Sequence, residues 1–412
     1  MGHNRIVQAK TDRDAHLIEH VVRRFGPISR ARIHELTQIR PSATSQIVRR
    51  LLAEGRLLED GVEESHLGRK GALLRLNEES RSVAALQFDD ETITAGIANL
   101  HPTIKKTRTA TTPLDTGADA LVRQLVTTMK SCLRGVDVKT LVGIGIADPG
   151  LVDSRRGVVL SCSTIPFWRG VPIKEIFERE FGVPVTVETH TRAKAVAERN
   201  GSVNPHESMI YIDYGAGIGA GLVTDGRLLY GQTSGAGEFG HMHVVDNDTA
   251  CNCGSFGCLE AVAGLRAVET RVRRAVADGG KTEVLEMAGG DASRISGWMV
   301  FEAASRGDKI AGNTVAAVGR YLGLGIANLV NLFNPGTIVL DWRLRAAGDT
   351  LLSEIDAIVK LQALREFTAN LEIRYGAQGN EAGILGMARM VLDEHMAVPA
   401  WKLPRFLQET QS

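Results

Sequence analysis

The chain has 412 residues, 43% hydrophobic and 23% charged, a globular composition long enough for two or three domains of ordinary size. Its 48 basic and 48 acidic residues cancel overall, yet residues 1–76 hold 14 Lys and Arg against 9 Asp and Glu, so a basic end joins a mildly acidic body. No apolar run reaches the roughly eighteen residues of a membrane span, and the polar residues 1–10 lead into no apolar stretch. This argues against membrane insertion or a secretory leader, and for a cytoplasmic protein.

In chain order, residues 12–78 read as an all-α unit followed by a hairpin. Residues 15–25 place Leu17, Ile18, Val21, Val22 and Phe25 at helical spacing, and Gly26-Pro27 ends the run. Ser29 suits the cap of a short helix with Ile33 and Leu36 inward. Pro41 suits the first turn of a third helix running to about Glu54, with Gly55 as its stop. Thr44, Ile47, Val48 and Leu51 share the inner side of that helix, which leaves Ser42, Ser45, Gln46, Arg49 and Arg50 outside. Residues 56–59 and 72–76 read as two strands, with Gly68-Arg69-Lys70-Gly71 at or near their tip. This is a winged helix-turn-helix pattern. Its third helix enters the major groove, where Gln and Arg pair with base edges, while Arg69 and Lys70 suit phosphates or the minor groove of double-stranded DNA. A helical protein-interaction module with a solvated charged face fits the same residues.

Residues 77–82 form a polar joint, and strands then alternate with helices. Residues 83–88, 92–99, 140–146 and 183–188 are strand-like, and 117–134 and 192–199 helix-like. The pattern divides into a first lobe over 82–198 and a second over 199–379, the latter with helices at 259–277 and 313–333 and a strand at 337–341. A helix at 381–394 is expected to return to the first lobe, completing it with residues 380–412.

Within the second lobe stands Cys251-Asn-Cys253-Gly-Ser-Phe-Gly-Cys258, with His241 ten residues upstream of the first thiol. Three thiols in eight residues with an imidazole close by is ligand spacing for a closed Cys₃His zinc site. Ordinary buried cysteines, or a disulfide, are the competing reading, although two thiols separated by Asn252 alone pair poorly with each other. His243 is a second candidate imidazole. Cys132 and Cys162 sit alone in apolar surroundings, as core thiols do.

The segment from Gly237-Glu238-Phe239-Gly240-His241 to Gly257-Cys258-Leu259-Glu260 does not stand alone. Gly143-Ile-Gly-Ile-Ala-Asp-Pro149-Gly150, Ile165-Pro166-Phe167-Trp168 and Tyr214-Gly215-Ala-Gly217-Ile-Gly219-Ala-Gly221 precede it in order. Together these stretches resemble the ROK family (repressors, open reading frames and sugar kinases) over residues 84–390. The resemblance implies an actin-like, ribonuclease H-like α/β fold of two lobes, preceded here by the winged helix-turn-helix of the sugar-responsive repressors. It also implies one structural Zn²⁺ per chain on His241, Cys251, Cys253 and Cys258. Arg40 stands where the family places a capping Ser or Thr at the start of the recognition helix.

A kinase of this family needs three further parts, and each is replaced. The phosphate loop of Asp-x-Gly-x-Thr type is Gln87-Phe-Asp89-Asp90-Glu91-Thr92, with three carboxylates that repel a triphosphate. The Asn-Asp pair carrying the general base is Thr189-His190, although histidine can serve as a base. The Gly-Gly at the nucleotide site is Asp341-Trp342, where an indole is expected to fill the space. The sugar side is better kept. Glu238, His241 and Glu260 match residues that contact sugar hydroxyls, and Thr164 and Thr189 stand where the family has Asn. The sequence therefore reads as a non-enzymatic, carbohydrate-responsive repressor, a homodimer or tetramer on an inverted-repeat operator. Its sugar or sugar-phosphate effector would sit at Thr164, Thr189, His190, Glu238, His241 and Glu260. An active sugar kinase with an appended domain, or a repressor controlled by a docked transport or signalling protein, are the other readings.

Overall fold

The structure of the chain, a computed structural model, describes residues 2–62, 71–199, 208–246 and 248–396, with side chains from residue 12 onward. The first unit contains α1 (Gly2–Phe25), β1 (Ile28–Ser29), α2 (Arg30–Thr37), α3 (Pro41–Ala53), β2 (Leu57–Val62) and β3 (Ala72–Leu76). Helix α1 starts at Gly2, well before the apolar stripe that begins near residue 15. Ser29 caps α2 by accepting from the Arg32 N–H at 3.3 Å, and β1 adds an unforeseen third strand to the wing, in the order β1-β3-β2. The Arg40 side chain makes no cap bond, and Pro41 opens α3 instead.

Lobe I contains β4 (Ser82–Phe88), β5 (Thr92–Asn99), β6 (Ile104–Thr111), α4 (Ala118–Leu133), β7 (Leu141–Asp148), β8 (Leu151–Asp153), β9 (Val158–Ser161), α5 (Ile173–Phe181), β10 (Val185–Thr189) and α6 (His190–Glu198). Lobe II contains β11 (Met209–Tyr214), β12 (Ile218–Thr224), β13 (Arg227–Leu228), α7 (Leu259–Ala263), α8 (Leu265–Ala277), α9 (Glu283–Met287), α10 (Gly297–Ser305), α11 (Lys309–Phe333), β14 (Thr337–Leu340), α12 (Asp349–Gln362), α13 (Arg365–Thr368) and β15 (Glu372–Tyr375). The last helix, α14 (Ala382–His395), lies on β4, β7 and β10 of lobe I and against α6.

The two lobes repeat one plan. Their sheets run β6-β5-β4-β7-β10 and β13-β12-β11-β14-β15, each an antiparallel three-strand meander extended by two parallel strands. This duplicated sheet is the actin-like sugar-kinase fold. The expected helix over 259–277 is broken at Gly264, whose extended backbone separates α7 from α8 and whose missing side chain leaves room for the Glu260 carbonyl. Helix α11 does have the length and mean hydropathy (1.3) of a membrane span, which the sequence reading did not anticipate. Its apolar side, including Val315, Val318, Leu322, Ile326 and Val330, forms the core of lobe II, which accounts for the hydropathy.

The first unit does not hang on a linker. Its core of Ile18, Val21, Ile33, Val48, Leu51 and Leu74 is continuous with Val83, Ala98 and Leu100 of lobe I and with Val391, Leu392 and Met396 of α14. Glu19, 2% exposed, accepts from Arg56 Nε at 2.8 Å and from Arg81 Nη2 at 3.2 Å, which ties α1 to the joint.

Candidate effector cleft, metal centre and DNA-facing helix

The four proposed ligands converge. His241 closes a short 3₁₀ turn, Cys258 precedes α7, and backbone bridges pair His243 with Cys258 and Ala250 with Phe256. The ligand atoms of His241, Cys251, Cys253 and Cys258 all lie within 4.8 Å of one another. His241 Nδ1 is 3.7 Å from Cys251 Sγ, and Cys253 Sγ is 3.8 Å from Cys258 Sγ. A tetrahedral zinc with Zn–S of about 2.3 Å and Zn–N of about 2.0–2.1 Å requires edges of roughly 3.8 Å (S–S) and roughly 3.6 Å (S–N), so these residues fit the ion. His243 is not in the cluster. Its ring packs over Gly257, where a Cβ would come within 2.7 Å. Burial, then the contacts with Cys253 and Cys251, push the Cys258 thiol up to about 12, and a bound dication reverses that penalty by favouring thiolates.

The other imidazole nitrogen of His241 faces Glu238, with Nε2 4.0 Å from Oε2. Glu238 is exposed, whereas Glu260 Oε2 accepts from the Ile218 N–H at 3.0 Å and lies against Gly217 and Gly240. On the lobe I side, Thr189 caps α6 through the Arg192 N–H at 3.3 Å, and Thr164 Oγ1 is 3.3 Å from Cys162 Sγ. His190 Nε2 is bonded to Asp213 Oδ2 at 2.9 Å.

That contact belongs to a buried polar network the sequence reading missed. Asp213 also accepts from Thr191 Oγ1 (2.8 Å) and Lys194 Nζ (2.7 Å), and Lys194 reaches Asp341 at 3.4 Å. Burial opposes charge on Asp213, yet Lys194 and then His190 hold it well below the usual carboxylate range. A further pair lies at the end of β7. Asp148, fully buried, accepts from Trp168 Nε1 and from the Gly150 N–H, both at 2.8 Å, and burial pushes it up to about 6. The signal was present: Asp213 and Asp341 each close an apolar strand, at the carboxyl ends where α/β sheets bind ligands.

In both stretches compared above with phosphate loops, the chain's own side chains bond the backbone. Asp89 Oδ1 accepts from the N–H groups of Glu91 (2.9 Å) and Thr92 (2.7 Å). At the second loop, Arg343 Nη2 donates to the Tyr214 carbonyl at 2.7 Å and stands 3.2 Å from where a Gly215 side chain would begin. Arg343 is pinned by Asp341 at 3.0 Å and stacked 5.0 Å from the Trp298 ring centroid. The group lying against this loop is thus Arg343, whose guanidinium is held there by Asp341. Burial raises Asp90 and Glu91, with Asp89 adding to it, and Arg343 opposes the rise in both.

On α3, Ser42, Gln46 and Arg49 are exposed and Ser45 is half-buried. Arg50 departs from this outward set: it pairs with Asp12 at 3.3 Å and Glu54 at 3.8 Å, because α1 extends far enough to supply Asp12. Arg69 and Lys70 lie outside the described residues.

The ROK family model matches residues 84–394, and the chain belongs to the ROK family. It is 26% identical over 377 residues to the xylose repressor of Caldicellulosiruptor bescii, covering 91% of this chain and 94% of that protein. It is 34% identical over 271 residues to the glucokinase of Halalkalibacterium halodurans, covering 65% of this chain and 80% of the enzyme. Among solved structures, a ROK family transcriptional regulator homologous to the Escherichia coli MLC protein superposes with a TM-score of 0.78 at 24% identity. That match covers 98% of this chain and all of the other.

Proposed function

We propose that the chain is a DNA-binding transcriptional repressor of carbohydrate uptake or metabolism genes, acting in the cytoplasm, whose kinase-like cleft binds a sugar or sugar derivative without phosphorylating it. The observation that carries this reading is that Asp89 itself occupies the Glu91 and Thr92 N–H groups, in a body that also bears a winged helix. The comparisons favour it too: likeness to the repressor spans 91% of the chain, whereas likeness to the glucokinase spans 65%. Ser42, Ser45, Gln46 and Arg49 face the major groove, and Arg69 and Lys70 contact the backbone or minor groove beside it. Zinc on His241, Cys251, Cys253 and Cys258 is structural, since four protein ligands leave no position for a reactive water. It holds Glu238, His241 and Glu260 as a preorganised set facing the sugar, with Thr164, Thr189 and His190 opposite.

A ligand that prefers one closure state of the lobes shifts DNA affinity by its differential binding, commonly 5–150-fold. The test pairs two titrations with xylose, glucose and N-acetylglucosamine: DNA release, and ATP consumption. The expected result is release by at least one sugar with no ADP formed. The kinase reading draws on the His190–Asp213 contact, which orients an imidazole as a base would be oriented. Sugar-dependent ADP formation that is lost in His190→Ala would establish it in place of the repressor-only reading.

A further inference from the structure

We propose that helix α6 transmits the state of the cleft to the DNA-binding unit through α14, with Arg389 as the coupling residue. This deepens the effector reading and rests on it for the biological signal, though not for the mechanical route.

Helix α6 belongs to lobe I by chain, but its side chains are bonded to lobe II. His190, Thr191 and Lys194 all hold Asp213, and Lys194 also reaches Asp341. Arg192, 2% exposed, donates from both Nη atoms to the Ser234 carbonyl at 2.9 Å, on the loop that leads to Glu238. The helix is gripped on two flanks without side-chain padding. A Cβ on Gly221 of β12 would lie 2.6 Å from Ala195 Cβ, and one on Gly386 of α14 would overlap the Ala193 carbonyl. Close-packed surfaces of this kind do not deform smoothly, so a shift of α6 is passed on.

The carbonyls at the C-terminal end of α6 are clasped by Arg389, while its last side chain, Glu198, accepts from Arg374 and from the Ala377 and Gln378 N–H groups. Arg389 Nη1 donates to the carbonyls of Val196 (3.0 Å), Ala197 (2.7 Å) and Arg199 (2.7 Å), the groups a helix end leaves without internal partners. Less than a turn further along α14, Val391 and Leu392 enter the core of the DNA-binding unit, and Arg23 of α1 donates to the Leu392 carbonyl (3.2 Å) and to Asp393 (2.8 Å). From Asp213 to α1 the route therefore crosses three interfaces, Asp213 on α6, α6 on α14 and α14 on α1.

Hydrogen exchange on the full chain, with no ligand added, tests the route directly. Asp213→Asn should speed exchange in α6, in α14 and in the C-terminal half of α1, and adding Arg389→Ala should confine the change to α6. Thr191→Val, which removes one bond to the same carboxylate, replaces Asp213→Asn if that variant folds poorly. A change that stops at α6 with Arg389 intact would overturn the proposal. For any sugar that releases DNA from the wild type, Arg389→Ala should keep sugar and DNA affinities each within about twofold. It should also cut the coupling to under about twofold, from the 5–150-fold of a working switch. Unchanged coupling in Arg389→Ala also counts against the route. If no sugar affects the wild type, the effector reading fails while the exchange result still decides the route.

Discussion

His241 turns one ring nitrogen to the thiols and the other toward Glu238, so a single side chain joins the candidate zinc ligands to the carboxylate proposed to meet the sugar. Purified protein should accordingly hold about one zinc per chain by elemental analysis. Cys258→Ala should lose it and lower the thermal midpoint by several degrees, because metal bound only to the folded state adds to folding free energy. Retention of a full zinc equivalent in that variant would contradict the ligand set. A second residue-scale outcome concerns Asp148. Its folded carboxyl binds a proton more tightly than the unfolded one, so the stability it contributes is complete below the ordinary value near 3.8 and is lost as pH rises through about 6. Trp168 donates to that carboxylate, and its emission should titrate with a midpoint near pH 6, a transition that Asp148→Asn abolishes. The thiols were legible because their spacing is local. Lys194 with Asp341, 147 positions apart, and Arg389 with the end of α6 were not, since no periodicity connects residues that only tertiary packing brings together.

At the scale of elements, α3 carries the sharpest expectation. Gln46 is exposed on its outer side, flanked by Arg49, while Ile47 and Val48 anchor the helix inward. Gln46→Ala should relax base preference at one operator position by about 1–3 kcal/mol in a binding-site selection, and Arg49→Ala should weaken binding evenly with a shallower salt dependence if it meets a phosphate. Equal loss on all sequences from Gln46→Ala would place that side chain on the backbone. The strands and helices with a clear apolar stripe were readable, β5 and α4 among them. Strand β6 was not, because an edge strand of Lys, Thr and Arg shows no buried face. Nor was the first half of α1, whose helicity no apolar stripe announces.

At the scale of the molecule, two sheets share the same strand order although the sequence shows no tandem repeat, since the repetition lies in topology and not in residue identities. One winged helix covers only a short half-site, so light scattering should give a dimer or tetramer, and footprints should show half-sites spaced by whole helical turns. A monomer that binds DNA with full affinity would defeat this. The continuous apolar core linking α1, β4, β5 and α14 has a consequence for how such a protein can be taken apart. A fragment beginning at residue 82 would expose Val83, Ala98, Leu100, Val391 and Leu392 as one greasy face. It should aggregate where the full chain stays soluble, and calorimetry of the full chain should show the DNA-binding unit melting together with lobe I. The winged-helix unit is thus a cover over an apolar face of lobe I, and under the proposed function proteolysis or gene fission at the joint would destroy sugar sensing along with DNA binding.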